Sequence, residues 1–419
     1  MRFLHAADLH IDSPLRGLDR YDGAPIERLR TATRSVLERL VDKAQTEQVD
    51  FVLFAGDIYD RDWQDFHTGL FFREQMVRLG RSGIRVFIVQ GNHDAQGVIS
   101  RQLHLPQNVT VFSSRTAQTV KIDELSVAIH GRSFRERAED EDLTPSYPAP
   151  VLGYFNIGML HTSLSGRPGH DTYAPTDVAT LTAKGYDYWA LGHVHDREIV
   201  AETPRIVYPG NLQGRHANET GPKGCELVIV EAGRIEAEFI PLDVVRWSQV
   251  AVVLDGIERL EALNERFRAV LDPQLIGATD RLHAVRVTLT GSTSLHSIEA
   301  NQPGTLDAAI RAAAQDVGEA EIWIEQVRLA LTSPLDRKSA AQRQDAVGEL
   351  IRLVDAIGGD ESALATLALT EVGSLMNALP SEVTEGETPR LNDTDELRSL
   401  LRDAEATVLA RLAAAGGGE

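Results

Sequence analysis

Two apolar segments that end in polar residues decide the fold of this 419-residue chain. Residues 51–57 read FVLFAGD, and residues 86–94 read VFIVQGNHD. Each segment begins with β-branched and aromatic residues, which predict a buried strand, and each ends in glycine followed by hydrogen-bonding side chains. Residues 67–81, between them, have a helical pattern. This order predicts an α/β core with parallel strands, because a helix is the usual crossover between parallel neighbours.

The same pattern extends on both sides of these segments. Residues 3–7 read as a strand, and residues 25–48 repeat apolar positions at the spacing of an amphipathic helix. Fewer helices separate the later predicted strands, which lie at residues 109–112, 125–130, 155–160, 186–191, 205–208 and 225–240. We therefore expect a mixed sheet.

The composition of the chain changes after Pro241 and again at Pro334. Between them lie predicted strands at 248–254, 283–290 and 321–331, with predicted helices near 256–270 and 295–316. Beyond Pro334 the strand signal ends, and helical spacing is interrupted by a polar stretch at 381–389 before a last helix at about 393–414. We predict a first domain at 1–245, a smaller αβ domain at 246–333 and a helical C-terminal segment at 334–419.

Charge and cysteine content exclude several classes of protein. The chain has 42 basic and 62 acidic residues, and the net charge of −20 opposes unassisted binding to nucleic acid. With 42% hydrophobic residues it is not a disordered chain. The single cysteine excludes an internal disulfide and any zinc site built on cysteine pairs, so that metal binding would use His, Asp, Glu and Asn. We find no signal peptide or apolar membrane span and expect a cytoplasmic protein.

Polar side chains recur at the ends of the predicted strands, where loops can gather them into one cleft. They are Asp8 and His10, Asp57, Asn92 and His93, His161, and His193 and His195. In a strand, residues i and i+2 point the same way. Each of the two pairs, Asp8 with His10 and His193 with His195, is therefore expected to aim two ligands at one side.

These donors predict a metal centre. Carboxylate, imidazole and carboxamide groups without thiolate suit Mn, Fe or Zn. Seven donors are too many for one tetrahedral ion but are about right for two ions that share one carboxylate. Two such ions can activate a water and stabilise the charge of a phosphoryl centre, which predicts hydrolysis of phosphate esters. An isolated His-x-His is more often a surface or core pair, and GNHD alone is often a tight turn; their joint order at strand ends favours the metal interpretation.

The order Asp-x-His, Gly-Asp, Gly-Asn-His-Asp, His, Gly-His-x-His is similar to that of the calcineurin-like metallophosphoesterase superfamily, over residues 1 to about 240. The resemblance implies a β-sandwich of two mixed sheets flanked by helices. Two longer segments, HAADLHIDSP at residues 5–14 and YPGNLQGRH at residues 208–216, resemble the YhaO-type DNA repair exonucleases, which are relatives of the SbcD nuclease subunit.

The resemblance also implies roles for single residues. It assigns the first metal to Asp8, His10, Asp57 and His195, and the second to Asp57, Asn92, His161 and His193, with Asp57 bridging. His93 would stay off the metals as a general acid or charge stabiliser, since imidazole titrates near neutrality. Asp60, where bacterial SbcD-type members also carry Asp, would orient His93 and raise its pKa.

Arg215 and His216 are candidate contacts for the substrate phosphate. Arginine suits this role because its planar guanidinium can form two parallel hydrogen bonds with a phosphate. A structural role in their loop is the alternative.

The implied function is a metal-dependent DNA phosphodiesterase, an exonuclease with endonuclease activity left open, that acts in DNA repair or end processing. It would use two divalent ions, Mn²⁺ above all. Residues 1–245 would be the nuclease domain and 246–333 the αβ capping domain. Residues 334–419 would dock an SbcC-like coiled-coil ATPase, and a homodimer through the catalytic domain is a further option. The alternatives are a calcineurin-like phosphatase or small-substrate phosphodiesterase, and a non-catalytic DNA-end or ATPase-binding adaptor.

Overall fold

The computed structural model describes residues 1–13, 23–60, 67–95, 104–166, 172–318, 320–373 and 393–416. Pro14, the last residue of the first YhaO-like segment, and the predicted polar stretch at 381–389 lie outside the described residues. By the density of its contacts the chain forms two compact units. Unit 1 comprises residues 1–249, 278–285 and 319–325, and unit 2 comprises 250–277, 286–318 and 326–419.

In chain order, the strands are β1 (Arg2–Ala6), β2 (Phe51–Ala55), β3 (Arg85–Val89), β4 (Val109–Val111), β5 (Gln118–Ile122), β6 (Val127–Gly131), β7 (Phe155–His161), β8 (Tyr188–Gly192), β9 (Glu198–Glu202), β10 (Arg205–Tyr208), β11 (Gly224–Glu231), β12 (Arg234–Pro241), β13 (Val245–Val253), β14 (Leu282–Ser292) and β15 (Glu321–Thr332). The α-helices are α1 (Ile26–Thr46), α2 (His67–Arg81), α3 (Val178–Ala183), α4 (Leu260–Leu275), α5 (Leu295–Asn301), α6 (Thr305–Gln315), α7 (Arg337–Ala340), α8 (Ala346–Gly359), α9 (Glu361–Glu371) and α10 (Thr394–Gly416).

Unit 1 contains two mixed sheets. The first has the order β12-β11-β1-β2-β3-β4. In it β1 to β4 run parallel to one another, and β11 runs antiparallel to both of its neighbours, β1 and β12. The second has the order β5-β6-β7-β8-β10-β9, with parallel central strands and antiparallel edge strands β5 and β9. The predicted mixed sheets are confirmed.

The two sheets pack face to face because alternate side chains of each strand point to opposite faces. In β2, Phe51 and Leu53 belong to the core shared with the second sheet, whose strands contribute Ile157 and Met159 of β7 and Tyr188 of β8. The intervening side chains of β2 pack instead against buried residues of α1 and α2. The predicted sandwich flanked by helices is therefore confirmed.

Some predicted elements differ from the observed ones. The strand predicted at 225–240 is a hairpin of β11 and β12, because Ala232 and Gly233 adopt positive φ angles of 49° and 80° and form a tight turn. The helix predicted at 295–316 is interrupted at Pro303, which lacks an amide hydrogen, and Gly304. The edge strands β5 and β9 were not predicted, since their short polar sequences, QTVKI and EIVAE, carry little of the alternating apolar pattern.

The remaining strands form a three-stranded sheet in the order β13-β14-β15. In unit 2, the C-terminal helices pack on one another: Ile351 of α8 meets Leu409 of α10, and Leu364 of α9 meets Leu397 of α10. A smaller αβ part and a helical C-terminal part are thus present, as predicted. The boundaries at 245/246 and 333/334 stay a prediction. Among the described residues, no helix is long and apolar enough to span a membrane.

Candidate metal centre

The predicted site residues all lie at the carboxyl ends of parallel strands, where neighbouring loops meet. The first sheet supplies Asp8 and His10 after β1, Asp57 and Asp60 after β2, and Asn92 and His93 after β3. The second sheet supplies His161 at the end of β7, and His193 and His195 after β8. The centre therefore spans the seam between the two sheets.

Ligand atoms converge in three overlapping groups. Within the described part of the chain, groups of imidazole and carboxylate atoms within 4.8 Å of one another are Asp8, His10 and His195; Asp8, Asp57 and His161; and His10, Asp60 and His93. The first group contains three of the four ligands that the resemblance assigns to the first ion; the second contains Asp57 and His161 of the other set together with Asp8, which the resemblance assigns to the first ion. They share Asp8, and the predicted bridge Asp57 belongs to the second.

Asp57 nevertheless approaches both halves of the centre. Its Oδ2 lies 3.9 Å from His10 Nε2 and 3.5 Å from His161 Nε2. His161 Nδ1 is 2.9 Å from the Ala55 carbonyl oxygen, which fixes Nδ1 as the protonated nitrogen of the neutral ring and turns Nε2 towards Asp57. The Asn92 side-chain oxygen lies 3.0 Å from the same Nε2. This placement is what a carboxylate shared by two ions requires.

The expected strand geometry of the two i, i+2 pairs is wrong. Asp8, His10 and His193 follow their strands rather than lying in them, and their φ angles are 50°, 43° and 101°. Asp57 also has a positive φ, of 51°. Left-handed backbone at a non-glycine residue costs about 1–3 kcal/mol and is concentrated at functional sites. The side chains converge because the chain turns sharply after each strand, not because of strand alternation.

His193 occupies a different environment from the other predicted ligands. Its amide donates to both carboxylate oxygens of Asp8, at 3.1 and 3.0 Å. Its ring lies edge-on to that of His161, with centroids 5.2 Å apart. His193 is in none of the three groups found among the described residues, so that its role as a ligand of the second ion stays a prediction.

Glycines make room for this centre. A Cβ on Gly91 would lie 2.7 Å from His161 Nε2 and still closer to Asp57 Oδ1. A Cβ on Gly56 would collide with His161 Nδ1. The loops therefore approach the imidazole and the carboxylate more closely than any side chain would allow.

The charges of the buried groups depend on one another. Burial raises the pKa of Asp8 to about 6 against the opposing charges of His161 and His195. Burial alone would lower the pKa of His161, but Asp57 raises it to about 9. Burial alone would raise the pKa of Asp57, but His161 holds that pKa below its usual range. At neutral pH His161 thus holds a proton that a divalent cation would displace, since metal ligands bind in their deprotonated form.

The donor set fits a divalent ion. His10 Nε2 and His195 Nε2 face each other at 3.2 Å, and His195 Nδ1 lies 2.8 Å from Glu219 Oε1. The Nδ1–H therefore points at the carboxylate and leaves the lone pair of Nε2 directed inward, as in a metal-ligating histidine. Oxygen and imidazole donors without thiolate suit Mn, Fe or Zn.

His93 lies at the rim of the centre and is partly exposed. Its Nδ1 is 2.8 Å from Asp60 Oδ1, and Asp60 Oδ2 accepts a hydrogen bond of 2.7 Å from the Ser13 hydroxyl. Burial alone would lower the pKa of His93, but the hydrogen bond that His93 donates to Asp60 and the charges of Asp57 and Asp60 raise it above its usual value. The geometry therefore favours the protonated form of this histidine.

Arg215 lies beside this pair. Its Nη1 is 3.4 Å from the Ser13 hydroxyl and 3.8 Å from Asp60 Oδ2. His216 is more remote and exposed, with Nε2 3.7 Å from Glu219 Oε1. Both predicted substrate contacts thus reach the rim of the centre, Arg215 directly and His216 through Glu219.

The comparisons with known proteins give the family. The profile of the calcineurin-like phosphoesterases matches residues 1–197, and that of the middle domain of metallophosphoesterase YhaO matches residues 247–332. The chain is similar to the uncharacterized metallophosphoesterase YhaO of Bacillus subtilis (strain 168), with 36% identity over 334 residues, 78% of this chain and 81% of that protein. The chain belongs to the calcineurin-like metallophosphoesterase family.

One solved structure also aligns with this metallophosphoesterase, at a lower sequence identity than the YhaO protein. The crystal structure of a dimetal phosphatase from Danio rerio aligns over 57% of this chain and 95% of its own, with 13% identity and a TM-score of 0.34. A likeness at this level carries no functional argument.

Membership of the metallophosphoesterase family implies a hydrolase with two divalent ions. Asp8, His10, Asp57 and His195 lie close enough to hold one divalent ion, and Asp57, Asn92 and His161 close enough to hold another. The individual roles, including those of His93 and Asp60, stay predictions supported by the distances above.

Two residues of the metallophosphoesterase site, Asp94 and Glu219, were given no site role from the sequence. Asp94 accepts hydrogen bonds from the amides of Ile58, Tyr59 and Gly91 at 3.1–3.2 Å and so joins the two loops that carry Asp57 and Asn92. Glu219 contacts His195. The sequence held a weak signal for each: an acid ending the GNHD motif, and an acid three residues after His216.

Proposed function

We propose that this metallophosphoesterase is a metal-dependent DNA phosphodiesterase, an exonuclease that acts in the cytoplasm in DNA repair or end processing with Mn²⁺ as its metal. The observation that carries the proposal is the His93–Asp60 pair, with Arg215 beside it, at the rim of the buried metal groups. The resemblance of residues 5–14 and 208–216 to YhaO-type DNA repair exonucleases supports DNA as the substrate, and Arg215 lies within the second of these segments.

Each side chain at the rim of the centre has its own role in the proposed reaction. The ions, when bound, supply Lewis acidity and an activated water. The water oxygen forms a bond to phosphorus and releases one proton to solvent, the bond from phosphorus to the leaving sugar oxygen breaks, and protonated His93 gives that oxygen its proton. Asp60 holds the imidazole in position through Nδ1, which leaves Nε2–H to face the substrate. Arg215 binds a non-bridging phosphate oxygen through its guanidinium.

The net charge of −20 opposes binding of DNA by this chain alone. We propose that an SbcC-like ATPase supplies the basic surface and docks on residues 334–419. These helices expose three large apolar side chains that a docked partner would cover: Leu353, Leu369 and Val408.

A direct test compares substrates and variants. Purified protein with Mn²⁺ is assayed on duplex and single-stranded DNA, on bis-p-nitrophenyl phosphate and on p-nitrophenyl phosphate. We expect turnover of both diesters, DNA included, and losses of about 10²-fold or more in His93→Ala, from removal of the acid, and in Asp57→Asn. His104→Ala, a change at an exposed histidine, is the matched control and should retain full activity.

Two outcomes would overturn the proposal. Efficient hydrolysis of the monoester with no cleavage of DNA would identify a phosphatase or small-substrate phosphodiesterase. Metal-replete protein that binds DNA and an ATPase partner but cleaves no phosphodiester would identify an adaptor. For the partner, Leu353→Asp and Leu369→Asp should each weaken co-elution with the ATPase in size-exclusion chromatography, while Val253→Asp, at an exposed position outside these helices, should not.

A further inference from the structure

We infer that Glu219 is a positioning residue that fixes both His195 and Arg215, so that one carboxylate aligns a metal ligand and a phosphate contact. The inference rests on the metal centre of the proposed function. Glu219 is only 6% exposed, although carboxylates are seldom buried without partners. Hydrogen bonds from His195, Arg215 and Asn211 satisfy it.

The first partner is the imidazole of His195. Glu219 Oε1 lies 2.8 Å from His195 Nδ1, which selects the tautomer that bears its hydrogen on Nδ1 and its lone pair on Nε2. The main chain of His195 is fixed as well. Its carbonyl oxygen accepts a hydrogen bond from the Lys223 ammonium at 2.8 Å and another from the backbone amide of Asn211 at 3.1 Å. The ring is therefore held in one orientation, with Nε2 aimed at His10.

The second partner is Arg215. Glu219 Oε2 accepts from the Arg215 amide at 2.7 Å, and Oε1 lies 3.0 Å from Arg215 Nη2. The carboxylate therefore binds both ends of this residue and holds its guanidinium near Ser13 and Asp60. Because the same two oxygens serve His195 and Arg215, a displacement of Glu219 would disturb both.

The loop that carries Glu219 is itself anchored. Gln213 Nε2 donates to the Val245 carbonyl oxygen at 2.6 Å, and Trp247 Nε1 donates to the Gly214 carbonyl oxygen at 3.0 Å. Both anchors come from the start of β13 and are buried. These hydrogen bonds hold the backbone of the loop rigidly, as a residue that positions other side chains requires.

Glu219 acts through His195 rather than as a ligand. It is absent from the three metal-binding groups found among the described residues, and it faces Nδ1 of His195, the nitrogen turned away from His10. Carboxylates in this relation to a ligating histidine raise its basicity, and their loss typically weakens metal affinity about 10–100-fold.

The test is metal binding, measured by isothermal titration with Mn²⁺ on the full chain. We expect Glu219→Ala to weaken the binding of one of the two ions about 10–100-fold. Glu405→Ala removes another buried carboxylate, which pairs with Arg337 at 3.1 Å in unit 2, and should keep wild-type metal affinity.

Circular dichroism of the metal-free variants checks that each is folded. Should Glu219→Ala fail to fold, Glu219→Met decides, because methionine keeps much of the volume but offers no oxygen to His195 Nδ1. Wild-type affinity for both ions in a folded Glu219 variant would overturn the inference. The proposed function fails separately, if wild-type protein with both ions bound leaves DNA and bis-p-nitrophenyl phosphate intact.

Discussion

Replacement of Gly91 by alanine tests whether the closeness of the loops sets the geometry of the centre. The added Cβ would lie 2.7 Å from His161 Nε2, whereas ordinary contacts begin at 3.4 Å. The imidazole would have to move by about 0.7 Å (3.4 − 2.7), and Asp57, whose Oδ1 is nearer still, by more. Metal ligands tolerate deviations of only about 0.2 Å.

The expected loss follows from that displacement. A misplacement of about 1 Å at a reacting centre costs on the order of 100-fold in rate, which corresponds to about 2.7 kcal/mol of transition-state stabilisation. We therefore expect Gly91→Ala to fold, to bind metal more weakly and to lose about 100-fold or more in kcat/KM on bis-p-nitrophenyl phosphate with Mn²⁺.

The matched control is Gly359→Ala in α8, where the same methyl group would meet no atom within 4 Å. In a helix this change should leave activity intact and add up to about 1 kcal/mol of stability. Wild-type turnover and metal stoichiometry in Gly91→Ala would refute the steric reasoning. The added methyl group would then fit between the loops without displacing His161 or Asp57.

Three further predictions concern buried polar groups. Asp60→Asn should move the alkaline limb of the pH–kcat profile to lower pH, because Asp60 raises the pKa of His93 and the acid must be protonated to act. Asp94→Asn should lower the free energy of unfolding by about 1–3 kcal/mol in urea titrations, since an amide has a single oxygen for three backbone donors. Burial lowers the pKa of His5 to about 3, so only the unfolded state gains its proton below about pH 6.5, and stability should fall by about 1.4 kcal/mol per pH unit as pH drops from there towards 3.

Each of these predictions has a control or a contradicting result. If the alkaline limb of Asp60→Asn lies at the same pH as that of the wild type, Asp60 does not raise the pKa of His93. Asp345→Asn, at the exposed N-cap of α8, should hardly change the free energy of unfolding, because Asn and Asp cap a helix equally well. An equal loss of stability in Asp345→Asn and Asp94→Asn would contradict the role given to the buried hydrogen bonds of Asp94. For His5, the acid-side slope of the urea stability curve should be smaller in His5→Gln than in the wild type, and identical slopes would contradict the assignment.

The location of the site could be predicted from the sequence because it depends on few and strong signals. Apolar runs predict the buried strands, and parallel strands bring their carboxyl ends to one edge, so that Asp57 and Asn92 had to lie near each other. The helices with one apolar face, α1 and α2, were equally clear. Such features are encoded within a few consecutive residues.

The finer geometry could not be predicted because it depends on distant contacts. The left-handed backbone of Asp8 and His10 is imposed by hydrogen bonds from their amides to the Gly56 and Asp57 carbonyl oxygens of the neighbouring loop. Glu219 meets His195 across 24 positions of the chain. No local pattern marks either relation, and both set the distances on which the chemistry depends.

The seam position of the centre also affects folding. His10 and His195 lie 185 positions apart in the chain and come from different sheets. Cations held there act as removable cross-links, because they bind the native arrangement and not the extended chain; at a free concentration of 1,000 times the dissociation constant, one ion adds about 4 kcal/mol to the free energy of unfolding. The thermal melting point of the substrate-free protein is therefore a gauge of how much free metal surrounds it.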